Sequence, residues 1–145
     1  RSGPEGEMVA DYLSRARKTG RAIGLTEVRL AEVEPRGRGG PEAEAQALCR
    51  AIPQGAVVVC LDERGRQMSS PDLAETIAGW RDGGRRDAAF LIGGADGLEP
   101  SLRDEANLSL SFGPMVWPHL LARVMLAEQL YRAVSILAGT PYHRE

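Results

Sequence analysis

Ala56-Val57-Val58-Val59-Cys60-Leu61 is apolar at every position, and a strand without a polar alternate must be covered on both faces, as strands of a parallel sheet are. Ala88 to Ile92 and Leu108 to Phe112 read as two further buried strands. Parallel neighbours cannot be joined by a tight hairpin, so each pair needs a crossover, usually helical. The intervening segments supply one. Pro41 opens a helix whose Ala45, Leu48, Cys49 and Ile52 follow the 3.6-residue period, and Pro53 ends it. Ser70 and Pro71 start the next, with Leu73, Ile77 and Trp80 on its inner face and Gly83-Gly84 as the break. Pro100 to Asn107 reads as a short polar helix. His119 to Ala138 is the longest, with Leu120, Val124, Ala127, Tyr131 and Val134 in one stripe, widened by Leu121, Met125 and Leu130.

Upstream, Ser2 and Glu5 are spaced as a capping box, and Met8, Tyr12, Leu13 and Ala16 share a helical face that Gly20 terminates. Ile23 to Val33 alternates as a half-exposed edge strand, and Pro35 to Gly40 is a basic, glycine-rich loop. The order α-β-α-β-α-β-α-β-α predicts one α/β domain over residues 1–145, its largely parallel sheet sandwiched between helices.

At 145 residues, with 43% hydrophobic and 26% charged residues, the chain is long enough to bury about 70% of its unfolded surface without a metal or disulfide. The two cysteines, Cys49 and Cys60, have no metal-ligand spacing and read as buried thiols in a reducing compartment. No apolar stretch approaches the roughly 18 residues of a membrane span and no signal peptide opens the chain, so the expected location is cytoplasmic. Eighteen basic against 20 acidic residues leave a net charge of −2, which gives no general attraction for nucleic acid. Basic residues nevertheless cluster, at Arg15/Arg17/Lys18/Arg21, Arg36/Arg38, Arg64/Arg66 and Arg81/Arg85/Arg86, either as solvated surface or as local phosphate contacts.

In open parallel sheets ligands bind beyond the carboxyl ends of the strands, which here follow Leu61, Ile92 and Phe112. The polar loop from Asp62 to Ser69 follows the first. After the second, Gly93-Gly94-Ala95-Asp96-Gly97 would let a ligand lie against bare backbone, or would simply make a tight turn. Its spacing fits neither GxGxxG nor a P-loop. After the third, Gly113-Pro114-Met115-Val116-Trp117-Pro118 combines two prolines with apolar side chains, suited to enclosing a flat apolar ligand such as an adenine or to packing in a subunit contact. His119 either caps the long helix or faces the site. Tyr142, His143, Arg144 and Glu145 read on composition as a solvated end. No serine or cysteine has the setting of an activated nucleophile.

Four segments taken in order resemble a known family: Leu91 to Leu98; Trp117-Pro118-His119; Arg123-Val124 with Glu128 to Ala133; and Pro141-Tyr142-His143-Arg144-Glu145. Together they are similar to the RlmH (YbeA-type) family, the ribosomal RNA large-subunit pseudouridine N3-methyltransferases of the SPOUT class. The likeness is dense from Leu91 to Glu145 and looser but collinear back to about Tyr12. It implies a C-terminal trefoil knot, bound S-adenosylmethionine, a homodimer, and action on large-subunit rRNA of the assembled ribosome, with no metal and no membrane. By position it assigns Leu61, Gly94 and Gly113, Pro114, Met115, Val116, Trp117 and Pro118 to the cofactor. Tyr142, His143 and Arg144 become catalytic or substrate-side candidates, with His119 lining the same cavity and Arg144 holding a phosphate or a uracil carbonyl. His143, Glu145 or the terminal carboxylate would serve as base. Two departures stand out. Relatives begin with a short strand that has no counterpart here, implying a missing N-terminal piece, and Ala95-Asp96 stands where relatives often have Pro-Glu. Rival readings are a SPOUT enzyme for another RNA nucleotide, a noncatalytic RNA-binding or dimerisation module, and a flavodoxin-like domain.

Overall fold

The computed structural model of the chain describes residues 3–25, 40–93 and 98–144. Its helices are α1 (Pro4–Gly20), α2 (Gly40–Ala51), α3 (Ser70–Asp82), α4 (Pro100–Glu105) and α5 (His119–Ala138), and its strands are β1 (Val57–Gln67), β2 (Ala88–Leu91) and β3 (Leu108–Ser111). These elements fall into two compact units: α1, α3, α5 and the tail form one, and the sheet with α2, α4 and the loop after β3 forms the other.

The sheet unit bears out the predicted α/β class. β1 is central in the order β2-β1-β3 and pairs parallel with both neighbours, Val57 to Cys60 lying opposite Ala88 to Leu91 and Val59 to Leu61 opposite Leu108 to Leu110. Cys60, Leu91, Leu98 and Leu102 make a buried cluster, against which Ala45, Leu48 and Ile52 of the α2 segment and Val58 pack. Val57 and Val59, of the opposite parity, are fully buried as well, which is why the run can spare no polar residue. Asn107 starts β3 by bonding Val58 twice: its N–H donates to the Val58 carbonyl at 2.9 Å, and its Oδ1 accepts the Val58 N–H at 2.8 Å.

Here the sequence reading needs three corrections. β1 does not end at Leu61; it continues to Gln67, interrupted by an excursion over 62–65, so that Leu61 and Arg66 both face Leu110. Polar composition alone suggested a loop, but ladder pairing resumes beyond it. Cys49 is exposed, because α2 turns Ala45, Leu48 and Ile52 inward and leaves it at the margin, while Cys60 is buried as expected. β2 is covered mainly at Leu91, Ala88 being exposed at the sheet's edge.

In the helical unit Val9, Leu13, Val124 and Ala127 form the buried cluster, with Tyr12 against it. Val9 replaces Met8, which is 48% exposed, on the inner face of α1. The capping box is not the N-terminal device. Gly3 is the N-cap at φ 111° with no side-chain cap, ahead of Pro4, and Ser2 lies outside the described residues. Gly20 ends α1 for a contact reason: a Cβ there would meet the Leu25 carbonyl oxygen at 2.1 Å. The chain tightens through a 3-10 turn, Arg21–Ile23, and reverses at Gly24 with φ 81°. The predicted strand therefore does not begin at Ile23, and its remainder, with the loop to Gly39, lies outside the described residues. Ser69, not Ser70, caps α3 by accepting the Asp72 N–H at 3.1 Å, which frees the Ser70 hydroxyl to donate to Gln129 Oε1 at 2.6 Å. α5 has the predicted bounds, yet Leu120 and Leu121 in its first turn are exposed.

Candidate functional site

At the carboxyl ends of β1 and β3 the sheet unit gathers Leu61, the 62–65 excursion and Gly113. Asp62 organises the excursion. Its Oδ1 accepts the Arg64 N–H at 3.1 Å and its Oδ2 accepts from Arg103 Nη1 at 2.9 Å, with both charged side chains largely covered. Burial alone would raise the Asp62 carboxyl, but the Arg103 hydrogen bond, the Arg64 N–H and the two positive charges together hold it below its usual range. Gly65 allows the backbone to come back to β3, since a Cβ would stand 2.6 Å from the Ser109 carbonyl oxygen.

Ser111 joins the excursion to the proline-flanked loop. Its buried hydroxyl accepts the Gly113 N–H at 2.9 Å and lies 3.0 Å from the Glu63 carbonyl and 3.1 Å from that of Gly113. Gly113 sits at φ 113° with open space where a side chain would stand. Beyond it the loop faces outward, with Met115 70%, Val116 79% and Trp117 42% exposed and Pro114, Pro118 and His119 exposed too. Leu61 pairs with Leu110, three residues before Gly113, although β1 runs on past it, while Gly94 lies outside the described residues. Ser111, Asp62 and Arg103 were not singled out by sequence reasoning. A serine between Leu110 and Phe112 in an apolar strand gives no warning that its hydroxyl bridges two loops.

The second group of candidates belongs to the helical unit. Gly139, at φ 78°, ends α5, and Thr140 N–H bonds back to the Ser135 carbonyl at 3.0 Å. That turn folds the tail along α5. Tyr142 donates its hydroxyl proton to Glu128 Oε2 at 2.7 Å, and its ring centroid lies 4.5 Å from that of Tyr131, with Tyr12 6.2 Å further along. Arg132 reaches the same Glu128 oxygen at 2.5 Å, lays its guanidinium 4.9 Å over the Tyr142 ring and places Nη1 3.1 Å from His143 Nδ1. A guanidinium only donates, so Nδ1 is the acceptor and the ring proton sits on Nε2. That nitrogen is buried and has no hydrogen-bond partner.

Tyr142 and His143 are thus docked, contrary to the solvated end that composition suggested: both are half-buried, while Arg144 is exposed. Burial, reinforced by the hydrogen bond to Glu128, pushes the Tyr142 hydroxyl far above its usual range, and the Glu128 bond likewise raises Arg132. Glu128 and Arg132 were given no role by sequence reasoning, although their i, i+4 spacing is the signal of an ion pair on one helix face. Among the described residues, no group of three or more His, Cys, Asp or Glu side chains is placed to hold a metal, and no helix is long and apolar enough to cross a membrane.

The family described as Predicted SPOUT methyltransferase matches residues 1–143. Relatives named Ribosomal RNA large subunit methyltransferase H include one from Paracoccus denitrificans, 65% identical over the whole chain and 93% of its own length. Those of Cereibacter sphaeroides and Ruegeria pomeroyi are 65% and 62% identical, each over 99% of this chain and 92% of theirs. With a family match over residues 1–143 and relatives aligned over 99–100% of this chain, the chain belongs to the SPOUT methyltransferases, in the group of the ribosomal RNA large subunit methyltransferases H.

Proposed function

We propose that the protein transfers a methyl group from S-adenosylmethionine to N3 of a pseudouridine in large-subunit ribosomal RNA, acting in the cytoplasm as a homodimer on the assembled ribosome. The observation that carries this reading is the likeness, over the whole of this chain, to relatives named as large-subunit rRNA methyltransferases, at 65% identity for the Paracoccus protein. Family membership adds the knotted C-terminal segment to the proposal.

The sheet end fits the cofactor. Gly113 offers bare backbone with open space before it, and Met115, Val116 and Trp117 offer exposed apolar surface of the kind an adenine covers. Leu61, Gly94 and Gly113 to Pro118 are the residues proposed to hold it. When bound, S-adenosylmethionine supplies an electrophilic methyl on a sulfonium, whose loss leaves a neutral thioether. The chain's part is chiefly placement, because nitrogen, methyl carbon and sulfur must lie in line and water must be kept out. Ser111 supports that placement by holding the Gly113 turn. Tyr142, His143 and Arg144 are the proposed substrate-side groups, with His119 as a lining residue. Arg144, exposed and always charged, suits a phosphate or a uracil carbonyl. Leu120 and Leu121, exposed at the start of α5, are apolar surface that a second copy would cover.

The test is to incubate the protein and S-adenosylmethionine with ribosomes lacking this modification, then digest the large-subunit rRNA and analyse its nucleosides by mass spectrometry. N3-methylpseudouridine is expected. A methyl group on a different nucleoside would replace the substrate assignment, and no transfer by a protein that binds the cofactor would overturn the reading.

A further inference from the structure

We propose that Arg132 is a positioning residue that fixes the His143 imidazole as a hydrogen-bond donor, through Nε2–H, to a carbonyl oxygen of the substrate base. The inference rests on the reading above that the tail faces the substrate, and it assigns His143 the part of donor where sequence reasoning nominated it as base.

Three observations lead there. Arg132 Nη1 lies 3.1 Å from His143 Nδ1, and since the guanidinium has no lone pair to offer, this nitrogen cannot carry the ring proton. Arg132 is itself held, by Glu128 through Nη2 at 2.5 Å and by the Tyr142 ring beneath its guanidinium, so the fork is fixed before any substrate arrives. Nε2–H is left buried without an acceptor, an arrangement that proteins rarely tolerate unless the group has another use.

The chemistry of the substrate gives such a donor a purpose. When N3 of a uracil-type ring gives up its proton to a base from solvent, the negative charge spreads onto the two flanking carbonyl oxygens, and a fixed N–H at either oxygen stabilises that charge as it develops. A base at N3 would need a free ring nitrogen, and neither nitrogen of His143 is free: one accepts from Arg132 and the other already holds the proton.

The chain has two histidines, so ring nitrogen-15 spectra are readily assigned with the aid of a His119→Asn variant. Wild-type His143 is expected to show Nδ1 as acceptor and the proton on Nε2, and Arg132→Gln to move the ring toward a mixture of tautomers. A proton on Nδ1 in the wild type, or an unchanged spectrum in a folded Arg132→Gln, overturns the positioning role without reference to turnover. Kinetics on ribosomes lacking the modification test the donor role. Glutamine keeps an N–H near the position of Nε2 but takes up no proton, so His143→Gln is expected within about tenfold of wild-type kcat, and His143→Ala about 100-fold or more below it. Equal inactivity of the two variants overturns the donor assignment. Failure of the underlying reading looks different, since wild-type protein would then form no N3-methylpseudouridine at all.

Discussion

Ser111 Oγ accepts the Gly113 N–H at 2.9 Å while standing 3.0 Å from the Glu63 carbonyl oxygen, so one buried hydroxyl ties together the two loops at the carboxyl end of the sheet. Ser111→Ala leaves the Gly113 N–H without that partner. An unsatisfied group of this kind costs about 1–3 kcal/mol, so the variant should unfold at lower denaturant and bind S-adenosylmethionine more weakly by calorimetry. Unchanged affinity would separate the Gly113 turn from the cofactor site.

Gly65 lets β1 return to its ladder with β3. In Gly65→Ala the new Cβ would stand 2.6 Å from the Ser109 carbonyl oxygen and 2.9 Å from the Leu110 nitrogen, both backbone atoms that cannot rotate aside. Forcing the strands apart should cost about 1–3 kcal/mol, read as a fall in the urea midpoint. Gly79→Ala, which meets nothing within 4 Å inside α3, is the matched control and should be neutral or slightly stabilising.

The Asp62 carboxyl is held below its ordinary value of 3.8 because the Arg103 and Arg64 contacts outweigh the opposing effect of its burial. A lowered folded-state value means that the ionised pair adds stability above the unfolded value and loses it as pH falls through the folded one. Asp62→Asn should therefore lower Tm at neutral pH. The difference from wild type should be constant down to about pH 5 and close in more acid solution, where wild type loses its carboxylate too. Thermal melts across that range would show it.

Tyr142→Phe keeps the ring against Tyr131 and removes the hydroxyl that donates to Glu128. A hydrogen bond to a charged acceptor is worth about 1.5–3 kcal/mol, less where partly exposed, so a loss near the lower figure is expected. Faster amide exchange in the tail is the accompanying sign that the docked segment has loosened.

Arg144 is exposed beyond the docked pair, and its removal takes no packing from the core. Arg144→Ala should lower turnover on ribosomes by about 100-fold or more while leaving S-adenosylmethionine affinity mostly intact. Wild-type turnover in this variant would take the tail's last cation out of the mechanism.

The fold was legible wherever burial imposes a period. The all-apolar run at Val57 to Cys60 marked the central strand because both of its faces are covered, and α5 was bounded correctly from Pro118 to Gly139 because proline and glycine punctuate helices. Legibility failed where one residue serves a distant partner. The excursion after Leu61 reads as an ordinary polar loop until Arg103, 41 residues away, is seen to hold Asp62. The candidate site divides in the same way. The motifs Trp117-Pro118-His119 and Pro141 to Glu145 pointed to the Gly113 loop and the tail, but nothing in them placed the Ser111 hydroxyl between two loops.

The buried parity of the central strand, the bounds of α5 and the family resemblance follow from the sequence alone, because each depends on spacing between near neighbours or on the order of short motifs. The exposure of Cys49, the docking of a tail rich in polar groups and the proton position on His143 required the tertiary structure. Each depends on which groups meet after the chain has turned back on itself: the imidazole tautomer is set by a guanidinium 11 residues away, and its position only after Gly139 reverses the backbone determines where the proton sits.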